Sequence, residues 1–257
     1  MFTFRQTLIA ACLATLPFAS ASLAAQKAAT QDYDTCLALA HKDPEKALAY
    51  ARAWRPDAGA DGPASLHCEA LALSALGRNA EAASTFSQVA LNMADAPVEA
   101  RAEAYAQAAD AWVIAEDLGR ARIAIDQALA LQANATYLLA RANIRALAKD
   151  WDGARVDAGE VLAELPTSVE ALTLRAAAFR NLGYPKPALA DAERAVGIAP
   201  HNLAALLERG RMRAANGNVA GARTDWEDVI RFAKATGRSD DASAVAAREY
   251  LKAGAGK

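Results

Sequence analysis

The sequence predicts an all-α fold: an α-solenoid of about five to six antiparallel helix pairs, closed by a C-terminal capping helix. Three observations carry that prediction. Alanine fills 71 of 257 positions, about half of a hydrophobic class that makes up 54% of the chain, and alanine has the highest intrinsic helix propensity. Glycines number 14, prolines 9, and aromatics make up 6%, too few for the turns and strands of a sandwich or barrel. The third observation is an internal repeat. A small residue recurs inside each expected second helix, at Ala82, Ala121, Ala154, Ala188 and Ala222, in steps of 39, 33, 34 and 34 residues.

Residues 1–25 read as a cleaved secretory signal. Arg5 is a short positive region, Thr7 to Phe18 is apolar apart from small polar residues and Pro17, and Ala19-Ser20-Ala21 or Ser22-Leu23-Ala24 follows at peptidase spacing. The apolar run is too short to anchor in a membrane. Ile9-Ala10-Ala11-Cys12 also resembles a bacterial lipobox, but only six residues separate Arg5 from Cys12, so lipid anchoring at Cys12 is the minor alternative. Removal of the segment takes away one charged residue, leaving 27 basic and 30 acidic side chains, a net of −3. No block of like charge suggests nucleic acid or a polybasic membrane patch.

Residues 26–63 form the expected N-terminal helices and a linker, with "RPDAGADGP" at 55–63 as its turn-rich part. The segment holds Cys36, and Cys68 lies just beyond it. In an exported chain an isolated cysteine pair favours a disulfide. The rival is a metal site of Cys36, His41, His67 and Cys68, which has no C-x-x-C pair and no standard zinc spacing.

Residues 64–235 carry the array. Twelve residues before each anchor stands Ala70, Ala109, Ala142, Ala176 or Gly210; sixteen before stands Leu66, Tyr105, Leu138, Leu172 or Leu206; seven after stands Val89, Ala128, Val161, Ala195 or Val229. Small residues at these places let two helices approach closely, and the larger ones fill the space beside them. The unit Val169–Asn202 has Ala176 and Phe179 in its first helix, Gly183 in its turn, then Ala188, Ala195 and the closing Pro200. This pattern resembles the tetratricopeptide repeat (TPR), a pair of antiparallel helices. The following unit keeps Gly210, Gly217, Ala222 and Trp226 without the proline, and "HKDPEKALAYARAW" resembles one more second helix anchored at Ala47. The resemblance covers roughly residues 32–235.

Arg141, Arg175 and Arg209 stand thirteen residues before the last three anchors, and Asp157, Asp191 and Asp225 three residues after them. The two earlier units have neither member. These residues are expected to pair across the hairpin or to the next unit, as half-exposed ion pairs worth about 0–1 kcal/mol. Within 236–257, residues 239–253 read as a capping helix with Ser239 as N-cap, Asp240 and Asp241 in the first turn, Arg248 and Lys252 in the last, and a short flexible tail.

Catalysis is not expected. The chain has no G-x-S-x-G, phosphate loop or H-E-x-x-H, and no motif for a cofactor. His201 reads as a solvated turn residue, and His67 and Cys68, about 100° apart on a helix, are poorly placed to pair. Trp54, Trp112, Trp151 and Trp226 read as core. The resemblance implies binding of protein or peptide on a concave face lined by first helices. The candidate residues there are His67, Leu71, Glu103, Gln107, Asp110, Ile114, Leu139, Asn143, Thr173, Ala177, Glu208 and Arg211. With slightly more acids than bases, and Leu139 where a lysine is wanted beside Asn143, they depart from the family's basic carboxylate clamp. The sequence thus reads as an exported, periplasmic adaptor; the alternative is a structural subunit or assembly factor of a cell-envelope complex that uses its convex side. The intact mass of the exported protein is expected to start after residue 21, 24 or 25, with no lipid; a diacylglyceryl adduct on Cys12 would overturn this.

Overall fold

The computed structural model describes residues 33–54 and 62–254. The signal segment 1–25 lies outside them, as do most of the 55–63 linker and the last three residues. Twelve helices make six hairpins: α1 (33–42) with α2 (Pro44–Trp54), α3 (Gly62–Ala75) with α4 (Asn79–Asn92), α5 (Val98–Ile114) with α6 (Leu118–Leu131), α7 (Ala135–Leu147) with α8 (Trp151–Glu164), α9 (Val169–Asn181) with α10 (Pro185–Ile198), and α11 (Leu203–Ala215) with α12 (Val219–Ala235). A thirteenth helix, α13 (Ala242–Gly254), lies against α11 and α12.

The repeat positions account for the packing. Ala47 and all five later anchors are fully buried, as are Ala70, Ala109, Ala142 and Ala176 on the facing first helices. In the sixth hairpin the facing residue is Gly210, because a Cβ there would come within 2.4 Å of Trp226 Nε1. Larger side chains at these places would push the helices apart.

Each later hairpin turns on one residue of left-handed backbone five positions before its anchor: Gly77, Glu116, Lys149, Gly183 and Gly217. The same two bonds close each turn, as where Gly183 N–H donates to the Arg180 carbonyl and Tyr184 N–H to that of Phe179. Glycine adopts this backbone freely; Glu116 and Lys149 carry a penalty of about 1 kcal/mol each. Side-chain caps then start the next helix. Asp117, Asn134, Asp150, Ser168, Asn202 and Asn218 each accept from the backbone N–H three residues on.

The core follows the stack as two thin clusters, one spanning α1 to α7 and the other α7 to α13. Trp112 and Trp226 are buried in it, as expected. Trp54 and Trp151 are only half-buried, because each sits at a helix end, Trp54 beside the Tyr50 ring. The capping helix starts later than the sequence suggested. Asp241, and not Ser239, takes the cap role, accepting from Ser243 N–H at 2.8 Å, while the Ser239 carbonyl accepts from Arg248. Likewise Gly62 and Pro63 belong to α3 and not to the linker.

The arginine–aspartate pairs form within each hairpin as two-pronged contacts. Arg141 meets Asp157 at 3.0 and 2.8 Å, Arg175 meets Asp191 at 2.7 and 2.9 Å, and Arg209 meets Asp225 at 3.1 and 2.6 Å. They are not the half-exposed pairs of the sequence reading. The aspartate side chains are 1%, 10% and 1% exposed, so each carboxylate depends on its arginine. Asp157 and Asp225 have a second arginine, Arg145 at 2.8 Å and Arg213 at 2.9 Å; Phe179 holds the corresponding place beside Arg175.

Removing one partner of a buried ion pair costs about 3–5 kcal/mol, because the other charge is left stranded. Arg175→Ala is therefore expected to lower the unfolding free energy by roughly 2–4 kcal/mol, and Arg141→Ala by clearly less, since Arg145 still holds Asp157. Equal losses in denaturant titrations would contradict this account.

Candidate functional site

The second helices α4, α6, α8, α10 and α12 pack chiefly on first helices, whereas α7, α9, α11 and α13 also pack on one another across units. From α7 onward the first helices therefore line one continuous side of the stack, where the candidate residues were expected to gather.

At the N-terminal end, polar side chains link four first helices. The Tyr33 hydroxyl donates to His67 Nδ1 at 2.7 Å, and His67 Nε2–H donates to Gln107 Oε1 at 2.9 Å. Gln107 in turn makes a long 3.5 Å contact with Glu103, whose other oxygen accepts from the Tyr137 hydroxyl at 3.2 Å. A neutral imidazole with its proton on Nε2 fits this pattern. Burial pushes the His67 pKa down, against the opposing pull of the Gln107 bond and the Glu103 charge. Burial likewise raises Tyr33, with Asp34 adding to it, and raises Tyr137, with Glu103 adding to it.

The cysteines explain why Tyr33 reaches His67. The sulfurs of Cys36 and Cys68 lie at disulfide distance with their Cα atoms 6.1 Å apart, and this staple joins α1 to α3. A loop closed over a separation of 32 residues stabilises by about 3–4 kcal/mol in the chain-entropy model. His67 has its nitrogens committed elsewhere and His41 is exposed, so the four residues do not assemble as a ligand set. Among the described residues no group of three or more His, Cys, Asp or Glu could hold a metal ion.

Two open cavities lie along the first helices. The larger, about 840 Å³, lies between α3 and α5, is walled by Tyr33, and contains three candidates: His67, Glu103 and Gln107. The connection between α4 and α5 borders it, through Met93, Asp95 and Ala96. A second groove of about 640 Å³ runs over α7, α9 and α11 to α13. It brings together six candidates, Leu139, Asn143, Thr173, Ala177, Glu208 and Arg211, with Leu174, Leu207 and Ser243 added.

Three candidates fall in neither. Leu71 is half-buried against the core, Ile114 is exposed at the end of α5 beside the Gly77 turn, and Asp110 lies two helical turns beyond Glu103. Glu208 also differs from expectation. It is a buried carboxylate held by Arg180 at 2.5 Å and Arg211 at 3.1 Å, because α9 and α11 pack close enough to enclose it. Arg211 also reaches the Tyr250 hydroxyl of α13 at 3.1 Å. Tyr33, Leu174 and Leu207 were missing from the candidate residues. The 39-residue first step pointed to a longer connection near Met93–Val98, but not to its place beside a cavity, and four of the added residues lengthen α5 instead.

In sequence, no family model and no curated protein matches this chain. In structure, it resembles a MamA double mutant with a TM-score of 0.59 at 16% identity, over 68% of this chain and 96% of that one. Another MamA crystal structure gives 0.55 at 12% identity, over 66% and 96%. YrrB, described as a TPR protein with an unusual peptide-binding site, gives 0.52 at 17% identity, over 72% and 91%. The chain has the tetratricopeptide-repeat fold. Six hairpins and a cap are thus a TPR solenoid, and the cavities lie along the TPR first helices. Among the described residues no helix is long and apolar enough to cross a membrane.

Asp110 offers a test of the electrostatics on this face. Its side chain is exposed, yet its carboxyl is pushed up by partial desolvation against the neighbouring helices and by repulsion from Glu103. A folded-state pKa above the unfolded value favours the protonated form, so the stability Asp110 contributes is present below the ordinary carboxylate range and lost as pH rises through the folded pKa. Asp110→Asn is expected to raise the melting temperature at neutral pH, with the gain vanishing in acid. A lower melting temperature at neutral pH would refute this.

Proposed function

We propose that this TPR protein is an exported, periplasmic scaffold that holds an extended or helical segment of another protein in the groove over α7 to α13. The carrying observation is the groove itself. Leu139, Leu174, Ala177 and Leu207 give it apolar walls, while Asn143 and Asn202 add amide hydrogen-bonding groups, the composition expected of a peptide-binding cleft. Each first helix adds a strip of this lining, so a bound segment would run across several units. The likeness to YrrB, a TPR protein with a peptide-binding site, supports the same reading, and the apolar stretch and small residues of 1–25 support export. A scaffold function without catalysis is consistent with this composition.

The second reading, a structural subunit or assembly factor that uses the convex surface, has one observation in its favour. Ile123 and Val156 are 57% and 40% exposed on α6 and α8, each two residues after its anchor. A photo-crosslinking residue placed at Ala177 or at Ile123 separates the two in cells. Groove binding predicts a defined adduct from Ala177 that disappears on Leu139→Arg, with the purified variant still folded. Adducts from Ile123 alone, unaffected by Leu139→Arg, would move the assignment to the convex side.

A further inference from the structure

The first step of the repeat is 39 residues where the later ones are 33 or 34; α5 has 17 residues against 13 in α7, α9 and α11, and its added first turn, with the connection before it, borders the cavity between α3 and α5. The walls are small and apolar, from Pro63, Ala64, Val89, Ala100 and Ala104, with the Met93 thioether beside them. The ionisable groups in the lining are Asp95, Glu103, Tyr33 and the neutral His67, and no lysine or arginine is among them.

That charge pattern differs from the rest of the solenoid. Asp157, Asp191, Asp225 and Glu208 are each met by arginine. Glu103 is oriented instead by the Tyr137 hydroxyl and Gln107, neutral donors that aim the carboxylate without neutralising it. An apolar wall with a carboxylate at its rim complements a side chain with a hydrocarbon stem and a cationic end.

We propose that the α3–α5 cavity is a second binding site, distinct from the groove over α7 to α13, that takes a lysine or arginine side chain from a segment of a partner protein whose flanking residues are small and apolar. Stem methylenes lie along Ala64, Ala100 and Ala104, and the cation sits between Glu103 and Asp95. The staple between α1 and α3 keeps Tyr33 in place as the far wall.

The test uses the mature oxidised protein, labelled with 15N, and two blocked peptides, Ala-Leu-Lys-Leu-Ala and the same peptide with norleucine for lysine. The lysine peptide is expected to shift the amides of residues 92–107 saturably, and norleucine to weaken binding roughly tenfold. Asp95→Asn with Glu103→Gln, which keeps the shape of both side chains, is expected to abolish the difference between the peptides. Leu139→Arg is expected to leave the binding unchanged, so this site and the groove can fail separately. Equal binding of the two peptides, no saturable shift at 92–107, or lysine selectivity that survives the double substitution would each overturn the proposal.

Discussion

Close approach of paired helices at alanine is the constraint on which the rest of this structure depends. Ala47, Ala82, Ala121, Ala154, Ala188 and Ala222 are wholly enclosed, and each lets a first helix lie directly against its second. Gly210 shows how tight that approach becomes when the partner is a tryptophan, since Trp226 occupies the space a methyl group would need. With spacing set this way, the left-handed turn residue falls at the same place in every later hairpin, and the orientation of one unit passes to the next. A thin core is the consequence. Stability accumulates unit by unit, as in other stacked-repeat proteins.

The buried aspartates fix register more sharply than apolar contact can. A carboxylate enclosed to 1% exposure tolerates only the helix offset that brings its arginine into a two-pronged contact. Where the second arginine is replaced by Phe179, the aspartate is slightly more exposed, so solvent supplies part of what the missing cation would. The three hairpins with these pairs underlie the C-terminal groove. The N-terminal units lack them and rely on the cysteine staple, on the buried Glu69 held by Arg52 at 2.9 Å, and on the chain of bonds from Tyr33 to Tyr137. The C-terminal end is thus set by ion pairs within its hairpins and the N-terminal end by a covalent link beside an ion pair between hairpins, and each end carries its own cavity.

The polar groups on the concave face divide by what holds them. Glu208 and Arg211 lie in the groove, yet they are paired with each other, with Arg180 also on Glu208 and the Tyr250 hydroxyl accepting from Arg211, so the groove presents mainly apolar surface and amide groups. Glu103 and Asp110 lack such compensation, and desolvation, with repulsion from Glu103, raises the Asp110 carboxyl. An uncompensated charge on a concave surface lowers stability and is retained at binding sites more readily than in a purely structural wall.

The repeat period, the anchors, the facing small residues and the Arg–Asp partners were legible in the sequence, because each reflects one-dimensional spacing on a 3.6-residue helix repeated at a fixed interval. So were the cysteine pair and about a third of the residues that line the two cavities. The start of α13 was not, because Ser239 and Asp241 are equally good caps locally and only the path of the chain out of α12 selects Asp241. Nor was the burial of Asp157 and Glu208, which depends on how closely neighbouring helices enclose a side chain that looks solvent-facing on its own helix. The sequence by itself determined a solenoid of alanine-packed hairpins, since that pattern lies within each unit. Only the tertiary structure decided which inner-face residues are already paired and which still face an open cavity, since those contacts join helices from different units.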